Sequence, residues 1–111
     1  MNTHSVGNMN LLEIVKRRKL FIENNTIYNK DDFQLMTEGE LRAYNEMIID
    51  IQQLDEKDFQ EKYLRIVKDI GKAFENEEIT DKDEIERLSG YNNEIVYVLR
   101  LLDPINKYDL D

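Results

Sequence analysis

Residues 37–54 read TEGELRAYNEMIIDIQQL. Leu41, Tyr44, Ile48 and Ile51 recur at intervals of three, four and three, with Met47 and Leu54 beside them. At about 100° per residue these side chains share one side of a helix, and Arg42, Glu46, Asp50 and Gln53 fall on the other. Thr37 followed three places later by Glu40 has the form of a capping box, so the helix is expected to start there. A helix with one apolar face is not stable alone in water and needs partners to bury against.

Upstream, Leu11 to Glu23 also reads as a helix. Leu11, Ile14, Val15, Phe21 and Ile22 can share a face, with Arg18 in the middle of that stripe. Asn24-Asn25 is a natural stop, because Asn tolerates the left-handed conformation at a helix end. A short hairpin over 19–30 is the rival reading, and the helix is preferred. Thr26 to Met36 holds too many apolar residues for a solvated loop. It is expected to lie on the core as a connector, with a turn near residues 29–32.

Downstream, Asp55 is a good N-cap, and the acidic residues after it suit the positive end of a helix dipole. Phe59, Tyr63, Ile66, Val67, Ile70 and Phe74 mark the next helix, weakened slightly by Gly71. The short connection predicts that this helix and the preceding one are antiparallel neighbours. Thr80 is the next candidate cap. Ile85, Leu88, Asn92, Ile95, Leu99 and Leu102 then repeat as a heptad seam with Asn92 on it. Ser89-Gly90 suggests two helices or a kinked one over 81–102, since Gly is common just past a helix end. Pro104 ends the pattern.

The predicted fold is all-α: a small antiparallel bundle of four or five helices, with dimerisation through the C-terminal helix left open. The division is a mobile leader over 1–9, one helical domain over 10–104 and an acidic tail over 105–111.

The chain has 111 residues, enough for one domain with one core. One proline and four glycines argue against an all-β chain with many tight turns. The absence of cysteine excludes a disulfide framework and a thiolate nucleophile or metal site. Neither a signal peptide nor a membrane-spanning run is evident, so a soluble, cytoplasmic protein is expected. The net charge of -9 disfavours general binding to nucleic acid or anionic membrane and favours solubility or a basic partner.

No motif in the chain forces a chemistry. Asp81, Asp83 and Glu84 lack the central glycine and later ligands of a calcium loop, and Ile85 sits where a ligand is needed. The one histidine, His4, lies outside the expected helices, which removes di-metal sites of the Glu-x-x-His type and histidine-based triads. There is no Gly-rich phosphate loop. A non-enzymatic chain without metal or cofactor is therefore expected.

Two features stand out as candidate partner-binding residues. Lys16, Arg17, Arg18 and Lys19 gather four of the fifteen basic residues in four positions. They form either a solvated face that meets acidic helices or a phosphate-contacting patch. Second, Ile95, Val96, Val98, Leu99, Leu101 and Leu102 nearly encircle the last helix, so it is either central or contacts two things. Tyr91, Asn92, Val96 and Val98 are its candidate contact residues. The leading expectation is a small acidic protein that binds and masks another protein, as inhibitors, antitoxins, immunity proteins and assembly factors do. A mimic of nucleic acid is the alternative, with Glu46, Asp50, Glu61, Asp69, Glu75, Glu77 and Glu78 imitating phosphates. Direct nucleic-acid binding through Lys16–Lys19 is the second alternative.

Overall fold

The computed structural model describes residues 3–24 and 34–102, with side chains described from Leu11 onward. The described residues form four helices and no strand: α1 (Thr3–Asn24), α2 (Gln34–Gln53), α3 (Glu56–Glu75) and α4 (Lys82–Leu102). They pack as a bundle around one core. Leu11, Val15 and Ile22 enter it from α1, and Ala43, Tyr44, Met47 and Ile51 from α2. Phe59, Tyr63 and Val67 come from α3, and Tyr91, Ile95, Val98 and Leu99 from α4. The closest partners are α2 and α4; α1 lies on α2, and α3 leans mainly on α4.

α1 runs back to Thr3, through most of the segment set apart as a leader. Residues 19–24 are helical, which favours the helix over the hairpin there. The connector residues 25–33, including the turn expected near 29–32, lie outside the described residues, as do Pro104 and the acidic tail. Asp55 caps α3 as expected, its Oδ1 accepting from the Asp58 amide at 2.8 Å.

Three local expectations need correction. Thr37 does not cap α2, because the helix already holds Gln34, Leu35 and Met36. Those upstream residues are used: the Met36 carbonyl packs against α4. At α4 the capping residue is Asp81 rather than Thr80, its Oδ2 accepting from the Glu84 amide at 3.1 Å. Finally, α4 is one continuous helix through Ser89-Gly90.

Gly90 is there for a different reason than a helix stop. A Cβ built on it would meet the Met36 carbonyl oxygen at 2.1 Å. A Cβ on Gly39 would meet the Arg87 carbonyl oxygen at 1.8 Å. The backbones of α2 and α4 therefore touch, each through a glycine of its own. Such an approach brings Cα–H groups to facing carbonyls and leaves no room for any side chain.

The α3–α4 turn closes with a pair of reverse bonds. The Glu78 amide donates to the Ala73 carbonyl at 2.9 Å, and the Glu77 amide to Phe74 at 3.1 Å. This is a Schellman ending, and Glu77 occupies its left-handed position with φ of 56°.

Candidate interaction surface

The surface is best understood from the buried polar groups beneath it. Glu94 on α4 is the buried charged residue of the core. A lone carboxylate there would be costly, so its partners matter. Tyr44 on α2 donates to Glu94 Oε1 at 2.6 Å. Arg18 on α1 donates through Nε to the same oxygen at 3.1 Å, and more weakly through a terminal nitrogen to Oε2 at 3.5 Å. Three helices are thus tied at one carboxylate. Burial, reinforced by the hydrogen bond to Glu94, pushes the Tyr44 hydroxyl well above its ordinary range, so it stays a donor.

The same device recurs at two other contacts. Tyr63 on α3 donates to Asp50 on α2 at 2.6 Å, and Lys62 joins at 2.6 Å. Burial disfavours the Asp50 charge, yet the bonds from Lys62 and Tyr63 outweigh it and hold its pKa below the usual value. Tyr91 on α4 donates to Glu46 on α2, while Arg42 lies 4.5 Å from the Tyr91 ring centre and bonds Glu46 at 3.1 Å. Glu46 and Asp50, expected on the solvent side, therefore serve the edges of the core. The available signal was chemical: a tyrosine rather than a phenylalanine at a core position needs an acceptor.

Arg18 leads from the core to the surface. Its guanidinium lies 5.0 Å from the Tyr97 ring centre and 5.5 Å from that of Phe21. Held by Glu94 on one side, it supports Tyr97 on the other. Around this point α4 keeps Tyr97 42% exposed and Leu101 41% exposed, and α1 keeps Ile14 39% exposed. Asn92, Asn93, Val96, Tyr97, Arg100 and Leu101 line an open concavity of about 510 Å³ along the outer side of α4.

The structure divides the expected partner-binding residues. Lys16 and Arg17 are exposed, Lys19 is half-buried, and Arg18 turns inward to Glu94. Tyr91 and Val98 are core residues, already covered by the other helices. Val96 and Asn92 are half-buried on the outer side of α4, and the Asn92 Oδ1 is buried without a hydrogen-bond partner among the described residues. Tyr97, Arg100 and Leu101 belong to the surface but were not singled out, because a helix apolar nearly all round does not reveal which side faces out; Ile14, expected on the apolar stripe of α1 with Leu11 and Val15, is exposed instead. Of the carboxylates expected to imitate phosphates, Glu61 and Asp69 on α3 alternate with the exposed Lys57, Lys62, Arg65, Lys68 and Lys72. That helix carries five acidic and five basic residues, so its outer face is not a row of like charge.

Among the described residues no cluster of three His, Cys, Asp or Glu side chains is placed to hold a metal ion. No described helix is long and apolar enough to cross a membrane. Comparison of the chain with protein-family models, with curated proteins and with solved structures gave no match.

Proposed function

We propose that this chain is a non-enzymatic binding protein that holds or masks another protein through the outer strip of α4 and the adjoining edge of α1. The observation that carries the reading is the exposure of Ile14, Tyr97 and Leu101 around Arg18, above a core that is already filled. Aromatic, aliphatic and arginine side chains of this kind are the usual anchors of protein interfaces. Supporting it, both oxygens of Glu94 are engaged by protein donors, so the buried charge serves the fold.

A second copy of the chain would meet the same strip, as the open question of a dimer through the C-terminal helix requires. In a two-fold pairing each protomer presents the same patch. Arg17, Arg18 and Arg100 would then crowd their own counterparts, so a foreign protein fits better.

The test is a photo-crosslinking amino acid placed at Tyr97 or Leu101 in the native cell, with Lys68 on the far helix α3 as the comparison position. The expected outcome is one discrete adduct from α4 that the Lys68 position does not give. Adducts that are absent, or equal at all three positions, would refute this reading.

A further inference from the structure

The charge on this face is unlike that of the molecule. The chain carries -9, yet α1 from Ile14 to Ile22 contains no acidic residue. On α4 from Asn92 to Leu102 the one acidic residue is Glu94, which is buried. The same two segments carry Arg17, Arg18 and Arg100, with Lys16 and Lys19 further round α1. Among the described residues Arg17 meets the exposed Glu13 one turn away, at 3.5 Å, which offsets little of its charge. Arg100 is exposed in the last turn of α4. Apolar anchors and cations are thus placed together, and within residues 14–22 of α1 and 92–102 of α4 no exposed carboxylate stands among them.

We infer, resting on the binding role proposed above, that the α1–α4 face is a docking surface for an acidic segment carrying apolar side chains on the partner protein. Tyr97, Leu101 and Ile14 take the apolar side chains, while Arg17 and Arg100 take the carboxylates. Arg18 is already fixed by Glu94 and the Tyr97 ring. It can offer its remaining N–H groups with little loss of side-chain freedom. Arg–carboxylate pairing of this sort selects partners and speeds encounter more than it adds affinity. Single-stranded nucleic acid shares the attraction to cations, but two observations count against it. The Tyr97 ring is already stacked by Arg18, and a phosphate backbone longer than this face would run onto the acidic remainder of the chain.

The experiment titrates the isotope-labelled full chain with three probes and follows its backbone amide spectrum. The probes are an amphipathic peptide of glutamate and leucine, its lysine–leucine counterpart, and oligothymidylate. The glutamate–leucine peptide is expected to shift the amides of Ile14, Tyr97, Arg100 and Leu101, and to lose binding as salt rises. Arg100→Glu should weaken it by about fivefold or more, and Leu101→Ser by a similar factor at unchanged salt dependence. Circular dichroism checks that both variants remain folded. No response, an equal response to the lysine peptide, or a response to oligothymidylate alone overturns the inference. If the Tyr97 crosslink is found while the glutamate peptide is ignored, the partner chemistry is wrong and the binding role stands. If the glutamate peptide binds this face while no crosslink forms, the surface assignment stands and the masking role falls.

Discussion

The glycine contact between α2 and α4 makes a sharp prediction for three matched substitutions. Ala is favoured over Gly inside a helix by about 1 kcal/mol, and this gain applies equally to Gly39, Gly71 and Gly90. The surroundings differ. At Gly71 a Cβ meets nothing within 4 Å, so Gly71→Ala should stabilise the protein by about 0.5–1 kcal/mol. At Gly39 the new carbon would stand 1.8 Å from the Arg87 carbonyl oxygen and 2.9 Å from the Tyr91 nitrogen. Both are backbone atoms, so no side-chain rotation relieves the clash. The helices must part by more than about 1 Å, a gap that forfeits a quarter to a half of each dispersion contact across the seam. That seam includes Tyr44, Met47, Tyr91 and Ile95. Overpacking of this kind costs about 1–3 kcal/mol, at the upper end where backbone opposes backbone. After the propensity gain, Gly39→Ala should lose about 2 kcal/mol, and Gly90→Ala, whose Cβ meets Met36 O at 2.1 Å, slightly less. The double variant should lose less than the two losses combined, because the first separation makes room for the second methyl. Urea unfolding followed by far-ultraviolet circular dichroism measures all four. A Gly39→Ala protein as stable as the parent, or a Gly71→Ala protein equally damaged, would show that the close approach of α2 and α4 is wrong.

Four further substitutions test the ties around the core and the ending of α3. Tyr44→Phe removes one donor from Glu94 and should cost about 1–2 kcal/mol, whereas Glu94→Ala also strands Tyr44 and Arg18 and should cost about 3 kcal/mol; a smaller loss for Glu94→Ala than for Tyr44→Phe in urea unfolding would contradict the shared site. Glu77→Gly removes the penalty of a side chain at a left-handed position and should stabilise by about 1 kcal/mol, read as a raised melting temperature. Glu40 is half-buried near Glu94, and burial, followed by the charge of Glu94, raises its pKa above the ordinary value against the opposing pull of Arg18. A carboxyl with a raised folded pKa destabilises the fold while ionised, and that cost fades as pH falls through the raised value toward the unfolded one. Glu40→Gln should therefore melt higher than the parent at neutral pH, and the two curves should converge in acid; a gap that widens in acid would reverse the sign.

Much of the architecture was legible because it rests on repetition. Leu11, Val15 and Ile22, or Phe59, Tyr63 and Val67, recur at helical intervals and are buried as that spacing predicts, though Ile14 and Phe21 of the same α1 stripe are exposed. Asp55 was legible because a cap is a local bond within four residues. The errors all arise where a distant residue decides the outcome. Gly90 looked like a helix stop because nothing near it in sequence announces the Met36 carbonyl. Thr37 looked like a start because the packing that extends α2 upstream lies on α4. Glu46 and Asp50 sit on the polar arc of α2 by periodicity, and only the tyrosines of α3 and α4 give them work.

The apolar girdle of α4 shows how these two kinds of information combine. Periodicity could not choose between a central helix and one with a second contact. In the fold the helix is central on one side and open on the other: Tyr91, Ile95, Val98 and Leu99 are enclosed, while Tyr97 and Leu101 remain outside. Exposed apolar residues are ordinary on any protein surface, and scattered ones need no explanation. On this chain they come with a charge pattern that chance composition does not favour. Acidic residues outnumber basic ones by 24 to 15, so an unselected patch should be mostly acidic. Around Tyr97 the exposed charges of α1 from 14 to 22 and of α4 from 92 to 102 are all positive. The inward turn of Arg18 adds a cation beside the Tyr97 ring, held there by Glu94, the same carboxylate that ties α1 and α2 to α4.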